Sequence, residues 1–295
     1  MIDIRYHIYS LAAVFFALAV GIVIGTSFAK GSSSADNERR TILRYENSMR
    51  VLKREIEKSA DECSVKEIYA EKSEEFCKSI LPIVAKDMLA WRNVAIVQTG
   101  DYDDLSGSIK RALELAGATV TSITDISREF HFNDDQKIAR VLTDCGVTPP
   151  DDAKEARTKL FSIITNSLYA AKHTELHSIL EEHGVAKFTG DYSRFNKMVV
   201  LVGGCTADGT STVDNVDTLL IDQLQQADVN VVGCENTTAA CSYVPVWHKM
   251  GIATVDNADS AIGQVALLCA LNGECAKFGI KATADRLTPQ TLEIE

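Results

Sequence analysis

No position from Ile8 to Ala29 carries a charge, and the run IYSLAAVFFALAVGIVIGTSFA has no polar stripe at helical spacing. A helix of that length rises roughly 33 Å, enough for a hydrocarbon core of about 30 Å. Arg5 and His7 precede the run, Lys30 follows it, and Tyr6 and Tyr9 stand where interfacial aromatics belong. The pattern predicts a single membrane-spanning helix. Ser27 and Ala29 would suit a signal-peptidase site, but an apolar signal core is usually about 7–15 residues long, so an uncleaved anchor is favoured. Gly21 and Gly25 have the small-xxx-small spacing that lets two helices approach closely.

After Lys30 the pattern changes. Gly31-Ser32-Ser33-Ser34-Ala35 reads as a short linker. Ile42, Tyr45, Met49, Leu52 and Ile56 then alternate steps of three and four, with Glu46, Lys53 and Glu55 beside them. Cys63 and Ala70 keep the spacing, whereas Ser59 and Lys66 break it. About two heptads fit both an oligomerising coiled-coil-like stalk and a solvated amphipathic helix. Pro82 is expected to end or kink this helix.

From Asn93 the pattern becomes that of a parallel sheet. Val94–Val97 is an apolar run of the buried-strand type; Ile109, Ala112, Leu113 and Ala116 follow at helical spacing, with Gly117 as the stop. Val120 and Ile123 open a second strand, completing a βαβ unit. Met198–Val202, a helix with Val213, Val216, Leu220 and Leu224, and a strand over Val229–Val232 repeat the grammar. A further strand is expected at Ile252–Val255, then a helix capped by Asp256-Asn257 and carrying Ile262, Val265 and Cys269. Between the halves, Asp151 to His183 reads as a long helix or helical hairpin. The predicted class is therefore α/β: anchor and tail over residues 1–30, linker and stalk over 31–91, and a Rossmann-like parallel-sheet body with a helical insertion over 92–295.

The net charge is −11, and because Asp3, Arg5 and Lys30 leave the first thirty residues at +1, the remainder carries −12. Such a body lacks the clustered cations that phosphate contacts need, so nucleic acid is not an expected partner. It would be repelled by anionic lipid and mildly attracts cations. Arg5 argues for an internal N-terminus while Lys30, Arg39, Arg40 and Arg44 argue against it. The short tail before the helix favours the bulk of the chain on the extracytoplasmic side.

Sites are expected where parallel strands end. The acidic loop Thr99-Gly100-Asp101-Tyr102-Asp103-Asp104 reads as a cation site or as a helix start capped by Asp103 or Asp104. Gly203-Gly204-Cys205-Thr206-Ala207-Asp208-Gly209 reads as a phosphate cradle or a strand-to-helix turn; it lacks the P-loop lysine. No GxSxG or HExxH is present, so no enzymatic activity is predicted. His173 and His177, four apart with His183 nearby, have a spacing compatible with metal on one helix face. Cys205, Cys234 and Cys241 follow expected strand ends, with His248 beyond, and soft thiolates suit Cu(I). These three cysteines are the candidate metal ligands. Cys269 lies on an apolar stripe and reads as core, while Cys63, at an a position, could pair with its own copy in a parallel dimer.

The opening Met1-Ile2-Asp3-Ile4-Arg5-Tyr6-His7, followed by Ser10-Leu11-Ala12-Ala13-Val14-Phe15-Phe16 and on to Gly25, resembles the start of the MctB-type copper transporter family of bacterial envelopes. Gly251-Ile252-Ala253-Thr254-Val255-Asp256, and Lys277-Phe278-Gly279 before Pro289, are similar to later family features. The resemblance implies an anchor, a stalk and an α/β body, a membrane location and a role in copper transport or homeostasis; it assigns no ligand residues. One helix encloses no pore, so transport would imply homo-oligomerisation through helix and stalk, or partner proteins. An anchored scaffold, and an anchored α/β enzyme acting on a small or phosphorylated ligand, remain the other two readings.

Overall fold

The computed structural model describes residues 4–31, 34–207, 209 and 211–290. The chain divides into two compact units, Met1–Glu71 and Lys72–Glu295.

In the first unit, α1 (Ile4–Gly31) contains the apolar stretch His7–Phe28, long and apolar enough to cross a membrane, with none of it buried by protein. Its large apolar side chains from Ile8 to Phe28 are exposed. Thr26 Oγ1 donates to Val23 O at 3.1 Å, so this hydroxyl is satisfied within the helix and needs no water. The side chains of Arg5, Tyr6 and Lys30 lie outside the described residues, as do Ser32 and Ser33 of the expected linker. Ser34 and Ala35 already belong to α2 (Ser34–Ala85), so the linker reading shrinks. Ile42, Tyr45, Met49, Leu52 and Ile56 are exposed along α2.

Pro82 does not end α2, which runs one turn further to Ala85. Proline removes the amide that would donate to the Lys78 carbonyl and crowds that carbonyl, so the last turn depends on its packing as well as on its own ladder. In the second unit, Leu81, Ala85 and Leu89 are buried against the sheet. Each fully buried leucine contributes about 1.5–3 kcal/mol. Glu74 Oε1 accepts from the amide of Ala261 at 2.9 Å, placing a carboxylate at the start of a body helix.

The body is a mixed α/β structure around seven strands: β1 (Asn93–Gln98), β2 (Thr119–Ile126), β3 (Ala186–Gly190), β4 (Met198–Gly203), β5 (Asn230–Glu235), β6 (Ala253–Val255) and β7 (Lys277–Phe278). Their spatial order is β3-β2-β1-β4-β5-β6-β7. All neighbours are parallel except β2 and β3, which are antiparallel. The expected strands at 94–97, 120–123, 198–202, 229–232 and 252–255 are present.

Helices α3 (Asp103–Leu115) and α9 (Ala261–Leu271) cover one face with the end of α2. The opposite face carries α4 (Asp135–Asp144), α5 (Ala153–Ala170), α6 (His177–Glu182), α7 (Asp217–Gln226) and α8 (Val244–Lys249). Strand alternation divides the core. Ala95, Val97, Val199, Leu201 and Val231 face the second group; Val94, Ile96, Val200, Val202, Val232 and Cys234 face the first.

Some boundaries depart from expectation. The segment 151–183 is broken after Ala170 by left-handed Ala171 and His173 (φ 53° and 62°), followed by a 3-10 turn at Thr174–Leu176. Val213 and Val216 are buried in the turn before α7 rather than in the helix. The cap of α9 is Ser260, whose side chain accepts from Gly263 N, not Asp256-Asn257. Gly117 has φ 81° and takes the expected stop position after α3.

Candidate functional site

The strand order reverses between β1 and β4: the chain leaves β1 for β2 on one side and β4 for β5 on the other. Loops diverge at such a point and leave a crevice beyond the carboxyl ends. Here the loops are tied across it. Thr99 N and Gly100 N both donate to Val202 O, at 2.8 and 3.1 Å, and Asp101 N donates to Gly204 O at 3.0 Å. Tyr102 Oη donates to Thr238 O at 3.0 Å, joining the loop after β5. The approach is so close that a Cβ on Gly100 would stand 2.3 Å from Gly204 O. Likewise a Cβ on Gly203 would stand 2.6 Å from the rings of both Tyr243 and Trp247, so this glycine is where an edge-to-face aromatic pair lies on the strand.

The loop considered as a phosphate cradle already holds an anion. Asp101 Oδ2 accepts from Thr206 N at 3.1 Å and Thr206 Oγ1 at 3.3 Å, while Oδ1 pairs with Arg128 Nη1 at 2.9 Å. Asp208 of this loop lies outside the described residues, as does the side chain of Asp103. The cap position of α3 falls on Tyr102, which makes no side-chain cap, rather than on Asp103 or Asp104. Asp101 is the carboxylate of that acidic loop that ties neighbouring loops together. Beside it opens a cleft of about 700 Å³ lined by Arg128, Phe130, His131, Asn133, Thr212 and Asn215 among others.

Two of the three candidate cysteines come together here. Cys205 and Cys241 oppose each other in an antiparallel bridge: Cys205 N donates to Cys241 O at 3.0 Å, and Cys241 N to Cys205 O at 3.2 Å. A pair exchanging both amide bonds puts its Cα atoms about 5.5 Å apart with side chains on one face. Both thiols are free. Cys205 is buried and Cys241 partly exposed. Burial first, then the Cys241 thiol, pushes Cys205 up to about 12, so a metal loaded here would have to displace its proton.

Cys234 does not join them. It lies on the other face of β5, fully buried, with Sγ donating to Leu201 O at 3.3 Å. His248 is engaged with Thr254 Oγ1 through Nε2 at 2.8 Å. His173 and His177 do not share a helix face, because left-handed His173 precedes the 3-10 turn and His177 begins α6. The His177 ring stacks on Phe188 at 3.8 Å. Burial lowers its pKa. Among the described residues no group of three or more His, Cys, Asp and Glu could hold a metal. The Cys205–Cys241 pair therefore offers two soft donors, a set suited to two-coordinate Cu(I) rather than to zinc or to harder ions.

The carboxyl edge contains more than the sequence reading picked out. Glu235, fully buried at the end of β5, accepts from Ser242 Oγ (2.6 Å) and Tyr243 N (2.9 Å) and pairs with Lys281 Nζ. Asp256, at the end of β6, accepts from the amides of Ile280 and Lys281 at 2.8 and 3.0 Å. Asp217 is wholly buried; Thr99 Oγ1 donates to its Oδ1 at 2.7 Å, and its Oδ2 has no partner. Burial raises Asp217 to about 7. Glu235 and Asp256 each end an apolar strand run, a position where an ionisable residue in a sequence signals the site edge.

These features define a class: an α/β body whose carboxyl edge carries a buried acidic network and a paired dithiol, in a chain that begins with an unburied apolar helix. The chain belongs to the MctB family, described as copper transport outer membrane protein, whose profile matches residues 1–289. It is similar to proteins named copper transporter MctB from Mycobacterium tuberculosis and Mycobacterium bovis, each 28% identical over 146 residues. The protein of that name from Mycobacterium leprae is 30% identical over the same length. Each alignment covers 48% of this chain and 43% of the relative, so the match spans less than half of those proteins. The family resemblance read from the opening motif holds.

Proposed function

We propose that this chain is a membrane-anchored bacterial envelope protein of copper transport or homeostasis, and that its body holds Cu(I) between Cys205 and Cys241. The observation that carries the copper site is the pairing of these two thiols across one antiparallel bridge, in a member of a copper transport family. Cys234, sealed on the far face of the sheet, is left out of the ligand set.

In this reading residues 1–30 are the anchor, 31–91 a coiled-coil-like stalk, and 92–295 a Rossmann-like body on the extracytoplasmic side. The exposed apolar positions of α2 support self-association through helix and stalk. We assign no catalytic activity. The loop that a phosphorylated substrate would have used is occupied by the Asp101 carboxylate.

The test is cellular. Deleting the gene is expected to change cell-associated copper at fixed external copper. Wild-type chain restores the level and a Cys205→Ser/Cys241→Ser chain does not. Copper content unchanged by the deletion would overturn the reading.

A further inference from the structure

A bridge that presents two free thiols to each other can hold a metal or close on itself, and it cannot do both. We infer that Cys205 and Cys241 form a dithiol–disulfide couple whose oxidation by a low-molecular-weight disulfide closes the copper site. The inference rests on the copper reading only for its consequence; the couple itself rests on geometry. A directly opposed pair has a Cα separation of about 5.5 Å, inside the 4.4–6.8 Å range of disulfides. Both amide bonds of the bridge fix the register that keeps the two residues opposite each other.

The environment gives the pair an order of events. Cys241 is the partly exposed member and Cys205 the buried one. The Cys241 thiolate attacks the external disulfide RSSR, forms a mixed disulfide and releases one RS⁻. Cys205 then attacks Cys241 Sγ, breaking the mixed disulfide and releasing the second thiolate. The two protons of the dithiol pass to the departing thiolates, so two thiols are oxidised as RSSR is reduced to two RSH.

Among the described residues, Cys205 and Cys241 are the cysteines that a β-bridge sets opposite each other. Cys145, Cys234 and Cys269 are buried. Cys234 faces the opposite side of the sheet from the pair. Cys63 and Cys77 lie on one continuous helix fourteen residues apart, about 21 Å along its axis, too far to bridge.

The test uses the full chain in detergent with Cys63, Cys77 and Cys275 replaced by serine to prevent links between chains. The protein is equilibrated with reduced and oxidised glutathione over a range of ratios, alkylated and digested with trypsin. No Lys or Arg lies between Lys197 and Lys249, so all three inner cysteines stay on the peptide Met198–Lys249. The expected product under oxidising ratios is that peptide, lighter by two hydrogens, with alkylation confined to Cys234. Cys234→Ser keeps the linkage and Cys241→Ser loses it.

Alkylation of both Cys205 and Cys241 at every ratio, or a link that includes Cys234, would overturn the couple. Cu(I) titration of the reduced and oxidised forms completes the test, with complete loss of uptake expected on oxidation. A disulfide that forms while the reduced protein takes up no Cu(I) upholds the couple and defeats the copper reading. A disulfide that forms without affecting Cu(I) uptake overturns the gating and moves copper elsewhere.

Discussion

Lys281→Met is expected to destabilise the body by about 3–5 kcal/mol, the cost of leaving one member of a buried ion pair without its partner. Glu235 is 0% exposed and Lys281 21% exposed, so the lysine can snorkel out while the carboxylate cannot. Ser242 Oγ and Tyr243 N would still donate to Glu235, but neither supplies charge. Lys281 Nζ also donates to Asn236 O at 3.2 Å, so its removal loosens the loop after β5 as well. Denaturation of the full chain in detergent, followed by tryptophan fluorescence, reports the effect, since Trp247 is 0% exposed and Trp91 is 96% exposed. A Glu235→Gln/Lys281→Met chain should recover part of the loss, because it no longer buries an unpaired charge. A loss below about 1 kcal/mol in the single variant would mean the pair is solvated in solution.

The second large effect depends on pH. An aspartate is near 3.9 in an unfolded chain. Burial holds Asp217 at about 7 in the fold. Its carboxyl is protonated in both states below about pH 4, so nothing is lost there. As pH rises from about 4 to 7, the unfolded chain releases a proton that the folded chain retains, and the contribution of this group to stability falls; above 7 the deficit is constant. Asn mimics the protonated carboxyl: its carbonyl can still accept from Thr99 Oγ1. Asp217→Asn should therefore match the parent near pH 4 and exceed it by about 2–4 kcal/mol at pH 8. A variant less stable than the parent at pH 8 would show that the ionised carboxylate is needed.

The main strands were legible because β1, β4 and β5 are buried on both faces and read as apolar runs. β3 was not, since Ala-Lys-Phe-Thr-Gly is a half-exposed edge strand with no such run. The break after α5 had no marker either, because non-glycine residues, Ala171 and His173, take the left-handed positions. That misplacement put His173 and His177 on a common helix face. Cys205 and Cys241 lie far apart in the chain and meet only through tertiary structure, so spacing could suggest thiols near strand ends but not which two face each other. The side of Cys234 was readable in principle, since it shares parity with Val232 and not with Val231. Asp101 was legible as an acid in a site loop. Its partners Thr206 and Arg128 were not, as they come from other loops.

The most direct measurement is Cu(I) titration of the reduced full chain in detergent against a competing chelator, with single serine variants. The account predicts one Cu(I) bound by the Cys205–Cys241 pair, retained in Cys234→Ser and lost in both Cys205→Ser and Cys241→Ser. Uptake that survives both of those replacements, or fails only in Cys234→Ser, would contradict it.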